Sequence, residues 1–263
     1  MKLEFYKYQG TGNDFVILDN RLNQVPVLTT KFIKHICDRR FGVGADGLMF
    51  LSNKAGFDFE MVYFNADGNE SSMCGNGGRC LVKFAHHIGI HQSRYHFIAI
   101  DGEHSAEIDS DGGVRLKMKN VNEVEHHNAH FILNTGSPHF VKFAVNVPNI
   151  DVVETGREIR YSPAFEKEGI NVNFVELLAD DSIYVRTYER GVEDETLSCG
   201  TGVTASALIA AHNENGFNRV EVKTPGGHLS VEFEKIDDQT FKNIWLCGPA
   251  ELVFKGEMTY ELE

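Results

Sequence analysis

Cys199-Gly200-Thr201-Gly202-Val203-Thr204-Ala205-Ser206-Ala207-Leu208-Ile209-Ala210-Ala211 is the stretch that decides the fold. After its glycines it is apolar on nearly every side, and a helix of that kind is enclosed rather than half covered. Ahead of it, Ser182-Ile183-Tyr184-Val185-Arg186-Thr187-Tyr188 reads as a strand. The same succession stands earlier in the chain. Asp58-Phe59-Glu60-Met61-Val62-Tyr63-Phe64 begins by alternating, as a half-buried strand does. A glycine-bearing loop follows, then the turn Cys74-Gly75-Asn76-Gly77 and a small-residue helix. The two helices are expected over 75–87 and 200–212.

Working outward, the likeness extends along the chain. Thr11-Gly12-Asn13-Asp14-Phe15 recurs loosely as Thr135-Gly136-Ser137-Pro138-His139-Phe140, 124 positions later. At that offset Phe64-Asn65 lands on Tyr188-Glu189, and Gly102-Glu103-His104 on Gly226-Gly227-His228. Cys74 meets Cys199 at an offset of 125. Each match alone is weak, because turn residues recur for local reasons. An ordered run of them at one nearly constant offset indicates an internal duplication.

Two halves are therefore expected, an N-terminal lobe over 1–128 carrying Cys74 and a C-terminal lobe over 129–263 carrying Cys199. Tyr95–Ile100, Val114–Met118, Arg219–Lys223 and Leu229–Phe233 alternate like strands. Lys31–Arg39 and Val152–Arg160 suit helices on the outside of each half. The fold class is α+β: two pseudo-symmetric lobes, each a curled mixed or antiparallel sheet wrapped around a central helix. A ligand cleft is expected between such lobes.

Composition narrows the function. The chain has 263 residues, 42% hydrophobic and 24% charged, and a formal charge of −13. A surface that acidic repels phosphate backbones, so nucleic acid is not an expected partner. The N-terminus carries no signal-peptide pattern. The most apolar helical stretch, Thr204–Ala211, is too short to span a bilayer. Five cysteines without a secretory signal fit reduced thiols in the cytoplasm, and no CxxC pair supports a zinc site. Twelve histidines, including His86-His87 and His126-His127, show no metal-ligand spacing.

The two Cys-Gly turns carry the chemistry. Each sets a thiol just before a helix N-terminus, where backbone N–H groups lack partners and the dipole is positive. A thiol there is drawn toward thiolate, and the same N–H groups can bind a carboxylate. Either cysteine alone would read as a small residue filling a tight turn. A symmetric pair, each followed by Gly-x-Gly, suits inversion of a stereocentre: one thiol takes the Cα proton from one face, and the other returns a proton to the opposite face. The carboxylate, held by helix N-termini, accumulates the developing charge.

Gly12-Asn13-Asp14-Phe15, Asn65-Ala66-Asp67-Gly68, Cys74-Gly75-Asn76-Gly77-Gly78-Arg79, Tyr188-Glu189-Arg190-Gly191 and Cys199-Gly200-Thr201-Gly202 together resemble the motif series of diaminopimelate epimerases, in order and over the whole chain. The resemblance implies interconversion of LL- and meso-2,6-diaminopimelate, in lysine and peptidoglycan-precursor synthesis, without pyridoxal phosphate or metal. It implies that Cys74 and Cys199 are the acid/base thiols. Asn13, Asn65, Asn171 and Arg190 then hold the substrate, and Gly75, Asn76, Gly200 and Thr201 supply backbone donors to its carboxylate. His139 and Glu189 match groups that tune the thiols, and Glu189 can also accept from the substrate ammonium. A cytoplasmic homodimer is the expected assembly.

Read alone, Asn13 and Asn65 are also ordinary turn residues, Glu189 a surface ion-pair partner for Arg190 or Arg186, and His139 a structural histidine. Three positions depart from the family pattern: Ser137 stands where Asn is frequent, Gly47 where some members carry Gln, and Asn69 where Ser is usual. None of them touches the thiols. The competing readings are another two-cysteine racemase or isomerase of the same superfamily, of the proline, hydroxyproline or phenazine type, and an amino-acid-binding lobe pair without activity. Arg190, which suits a distal carboxylate, favours the first reading over the racemases. Two intact thiols argue against a mere binder.

Overall fold

A computed structural model describes residues 2–212 and 214–260. The first repeat runs β1 (Lys2–Gly10), β2 (Asn13–Asp19), α1 (Thr30–Cys37), β3 (Gly47–Ser52), β4 (Phe59–Asn65), β5 (Glu70–Ser71), α2 (Gly75–His87), β6 (Tyr95–Ala99), β7 (Gly102–Ile108), β8 (Val114–Lys117) and β9 (Val124–His126). The second repeats the order: β10 (Phe131–Asn134), β11 (Pro138–Phe143), α3 (Val152–Arg160), β12 (Asn171–Leu177), β13 (Ile183–Glu189), β14 (Asp194–Thr196), α4 (Gly200–Ala210), β15 (Gly216–Thr224), β16 (Gly227–Lys235), β17 (Phe241–Gly248) and β18 (Glu251–Thr259). A short 3-10 turn at Val147–Asn149 precedes α3.

The compact units do not follow the repeat boundary. One comprises Met1–Leu116 with Pro249–Glu263, and the other Lys117–Gly248, rather than 1–128 and 129–263. The reason lies in the last strand of each repeat. β18 pairs antiparallel with β1, from Lys2↔Thr259 to Gln9↔Glu251, and β9 pairs with β10. Each repeat thus gives its ninth strand to the other unit. Local periodicity carries no trace of this, because a strand reads alike whichever neighbour it joins.

The two sheets are built alike. One runs β18-β1-β2-β3-β4-β6-β7-β8, with β2–β3 and β4–β6 parallel and the rest antiparallel. The other runs β9-β10-β11-β12-β13-β15-β16-β17, with β11–β12 and β13–β15 parallel. Parallel neighbours need a crossover, and helices supply it at each point. Strands from across the sheet touch α2 in one unit and α4 in the other, so each sheet curls round its helix. Val203, Ala205, Ala207 and Leu208 of α4 are all buried, as an enclosed helix requires.

α2 spans the expected range. α4 stops at Ala210 rather than His212, since Ala211 turns extended (φ −55°, ψ 145°) and Lys235 Nζ donates to the His212 carbonyl at 3.3 Å. The repeat also needs one adjustment. Ala99 pairs with Gly102 and Thr224 with Gly227, so Gly102 corresponds to Gly227, not Gly226. The extra residue enters before Cys199, and the offset of 125 persists beyond it.

Side-chain parity sorts the faces. Val16, Leu18, Leu48 and Phe50 pack outward with Ile33 and Ile36 of α1. Phe140, Val172, Phe174 and Tyr188 pack outward with Val152 of α3. Phe15, Gly47, Met49, Tyr63 and Asn65 therefore share the inner face in one unit, and His139, Asn171, Asn173, Thr187 and Glu189 share it in the other. Among the described residues no helix is long and apolar enough to cross a membrane.

Candidate active site

In the first unit Cys74 is the N-cap of α2, with extended backbone (φ −94°, ψ 135°) and no side-chain capping bond. Its carbonyl accepts from Gly78 N at 2.7 Å, which leaves the N–H groups of residues 75–77 without intrahelical acceptors. The opening turn sits close to the sheet. A methyl group at Gly77 would lie 2.3 Å from Met49 Cε and 3.5 Å from Phe15. Cys74 Sγ donates to Asn13 Oδ1 at 3.6 Å, and Asn76 Nδ2 donates to the same oxygen at 3.4 Å. Arg79, fully buried, donates to Asn76 Oδ1 at 3.0 Å and Thr11 Oγ1 at 3.1 Å.

Asn13 is held from behind. Its Nδ2 donates to Asp46 Oδ2 through a short hydrogen bond. Arg39 forks onto Asp14 at 2.9 and 2.7 Å and reaches Asp46 Oδ1 at 2.7 Å, and Lys7 Nζ lies 2.8 Å from Asp14. Burial alone would raise the Asp14 carboxyl, but hydrogen bonds from Arg39 and Lys7 outweigh it and keep the group below its ordinary value. Asn65 ends β4 in register with Gly47. Gly47 has no room for a side chain: a methyl there would lie 2.4 Å from Tyr63 Cε2 and 2.5 Å from the Phe64 carbonyl.

In the second unit Cys199 caps α4 in the same conformation class, again without a capping bond. Cys199 Sγ lies 3.5 Å from Thr201 Oγ1, and Thr135 Oγ1 donates to the Thr201 carbonyl at 2.8 Å. A methyl at Gly202 would lie 2.3 Å from Asn173 Oδ1. Asn173 Nδ2 donates to the Phe140 carbonyl at 3.0 Å and to His139 Nδ1 at 3.1 Å, and Thr187 Oγ1 donates to Asn173 Oδ1 at 3.0 Å. A backbone carbonyl only accepts, so the amide orientation is settled and the imidazole proton belongs on Nε2. Nε2 finds no hydrogen-bond partner among the described residues. Burial, with the Arg190 charge second, pushes His139 down to about 3, so it is neutral near pH 7.

The remaining predicted residues gather in the same unit. Asn171 Oδ1 accepts from Arg190 N at 2.8 Å. Its Nδ2 donates to Ser137 Oγ at 2.9 Å, and Arg190 Nη2 donates to that oxygen at 3.4 Å. Ser137, which departs from the family pattern, is thus an acceptor at the junction of two expected substrate ligands. Glu189 Oε2 accepts from Thr196 Oγ1 at 2.9 Å, while Arg186 pairs with Glu195 at 2.6 Å. Cys37 and Cys80, outside this arrangement, are pushed up to about 12 by burial and remain thiols.

Sequence reasoning did not single out Asp46, Arg39, Thr11, Asn173 or Thr187. For the last two a signal existed. Asn173 and Thr187 stand 124 positions after Met49 and Tyr63, and a change from apolar to polar at matched inward positions marks a site. Asp46 had none, since an aspartate before glycine reads as a turn.

The architecture is that of a class of epimerases and isomerases. A PhzF-family phenazine biosynthesis protein from Bacillus anthracis superposes with a TM-score of 0.75 at 14% identity, covering 99% of this chain and 100% of that one. A hydroxyproline epimerase from Agrobacterium vitis superposes with a TM-score of 0.70 at 12% identity, covering 97% and 92%. At such identities the likeness carries the fold alone. Sequence is more specific. The diaminopimelate epimerase family profile matches residues 5–124 and 131–253, one stretch in each repeat. The diaminopimelate epimerase of Flavobacterium psychrophilum is 52% identical over 96% of this chain and 99% of its own length. That of Chlorobaculum tepidum is 42% identical over 95% and 99%. The chain belongs to the diaminopimelate epimerase family and is an isomerase.

Proposed function

We propose that this chain epimerises LL-2,6-diaminopimelate to meso-2,6-diaminopimelate with two thiols and no organic cofactor or metal, in lysine and peptidoglycan-precursor synthesis. The observation that carries the mechanism is the duplicated half-site: two equivalent sheets each present an uncapped cysteine at the start of an enclosed helix. In this reading Cys74 addresses one face of the reacting Cα and Cys199 the other. Backbone donors at Gly75, Asn76, Gly200 and Thr201 receive the α-carboxylate, where the carbanion's charge accumulates. Asn13, Asn65, Asn171 and Arg190 hold the rest of the substrate. The Arg190 fork suits the distal carboxylate, which would cost several kcal/mol if buried without a partner. His139 and Glu189 adjust the thiols. The enzyme works in the cytoplasm, where its five free thiols stay reduced, and pairs with a second copy.

The hydroxyproline-epimerase alternative rests only on structural likeness at 12% identity, and Arg190 has no counterpart need in a substrate with one carboxylate. The test is substitution of each cysteine. Cys74→Ala and Cys199→Ala are each expected to lose at least about 10³ in kcat, the scale of a lost acid/base group. Cys37→Ala, Cys80→Ala and Cys247→Ala are expected to retain turnover. Near-native turnover by either of the first two would overturn the two-thiol mechanism.

A further inference from the structure

We propose that Asp46 is a positioning residue for epimerisation: it fixes which end of the Asn13 amide faces Cys74, and so holds Cys74 as the protonated thiol in the resting enzyme. The inference rests on the reading of Cys74 as one of the two acid/base groups.

The two ends of an amide are chemical opposites, one a donor and one an acceptor. An ionised carboxylate only accepts, so the end of Asn13 that meets Asp46 Oδ2 must be the nitrogen. Asp46 is itself fixed. Its Oδ1 takes Arg39 Nη2 at 2.7 Å, its Oδ2 takes Asp14 N at 3.2 Å, and its own N–H donates to Asp14 Oδ1 at 3.1 Å. The opposite side agrees. Asn76 has its oxygen committed to Arg79 and Thr11, at 3.0 and 3.5 Å, so it offers nitrogen to Asn13. Asn13 Oδ1 is thereby left as an acceptor, 3.6 Å from Cys74 Sγ.

A hydrogen bond donated by the neutral thiol favours the neutral form. The surrounding charges divide. On α2, buried Arg79 and the positive helix end favour thiolate, while Cys80 stays a thiol. From β2 comes Asp14, from β1 Lys7, and from the segment after α1 Arg39 and Asp46, tied into one network. Asp101 accepts from Met73 N at 3.1 Å beside the turn. The Asn13 oxygen opposes Arg79 and the helix end, and keeps the proton on Cys74. Inversion needs one thiol to enter the turnover as acid and its partner as base. The orientation set by Asp46 gives Cys74 the acid's part.

The test is the pH dependence of Cys74 alkylation by iodoacetamide in the full-length protein, read by peptide mass spectrometry, for wild type, Asp46→Ala and Asn13→Leu. Asp46→Ala frees the amide to turn its nitrogen toward the sulfur, and its Cys74 midpoint is expected about one pH unit lower, a tenfold gain in thiolate at fixed pH. Asn13→Leu removes the acceptor while leaving the Asp46 charge, and the same shift is expected. Cys199 is expected to keep its midpoint in both, and the alkaline limb of kcat/KM in Asp46→Ala, which reports loss of the Cys74 proton, to move down with it. An unmoved Cys74 midpoint in a folded Asp46→Ala protein would overturn the proposal, as would a shift in Asp46→Ala with none in Asn13→Leu, which would mean that charge alone acts. If Asp46→Ala does not fold, Asn13→Leu decides. The alkylation readout does not depend on turnover, so wild-type activity in Cys74→Ala would sink the two-thiol reading without moving these midpoints.

Discussion

Beneath the opening turn of α2 lie Phe15, Met49 and Tyr63; beneath that of α4, at the matching positions, lie His139, Asn173 and Thr187. The strands, registers and helix starts are the same, yet one layer is largely apolar and the other a chain of hydrogen bonds. Charge differs too. The first half buries Arg79 just past the first turn of its helix, whereas Thr204, at the matching place, donates to the Gly200 carbonyl at 2.9 Å. The framework that brings a cysteine to a helix N-terminus is held in common, because geometry asks the same of both halves. The proposed division of roles does not, since an acid and a base need different surroundings. The first half places a buried cation and the Asn13 oxygen near its cysteine, and the second places the amide of Asn173 and the hydroxyls of Thr187 and Thr201 at its helix start.

The strongest way to break this comparison is to give one half the other's layer. Asn173→Leu would strand His139 Nδ1 and the Thr187 hydroxyl in the core, each worth about 1–3 kcal/mol when unpaired. A loss of about 3 kcal/mol or more in urea unfolding is expected. Met49→Asn, which buries an amide among apolar neighbours, is expected to cost a comparable amount. If Asn173→Leu were neutral while activity persisted, the polar layer would be incidental.

The glycines of the two turns sharpen the contrast. At Gly202 an added methyl meets the fixed Asn173 Oδ1 at 2.3 Å, and at Gly77 it meets the mobile end of Met49 at the same distance. A thioether tip can swing aside, while the Asn173 amide is held by partners at both ends. Gly202→Ala is expected to lose about 2–3 kcal/mol and Gly77→Ala about 1, on the scale of overpacking. Equal losses would mean that the hydrogen-bonded layer is no stiffer than the apolar one.

Acid titration probes the same polar layer without a change in packing. His139 is held near 3 in the fold against an ordinary value of 6.5. Below about pH 6.5 the unfolded chain binds a proton that the folded chain refuses, so stability falls as pH falls. Between pH 6.5 and 5 this residue alone is expected to remove about 2 kcal/mol. His139→Phe, which installs the residue found at Phe15, is expected to flatten that window. An unchanged slope in the variant would show that another group titrates there.

Much of this was legible before any coordinates. Alternation over 58–64 and 182–188 and the apolar run after Cys199 give the strands and the enclosed helix, because period and composition are local signals. The constant offset gives the duplication and both thiols. The exchange of β9 and β18 was not legible, since strand pairing depends on distant chain. Nor was Asp46, whose contacts with Asn13, Asp14 and Arg39 exist only in the folded chain. Gly47 reads as a lost contact in the sequence, and only the fold shows the Tyr63 ring filling its place.

The most direct test of the account is incubation of LL-diaminopimelate with wild-type enzyme in deuterated water, sampled at low conversion. Two monoprotic thiols acting on opposite faces predict meso product with one deuterium at the inverted Cα, and recovered LL substrate that still carries protium. Meso product that retains the substrate's own proton, or LL substrate that gains deuterium as fast as product forms, would contradict a two-thiol inversion.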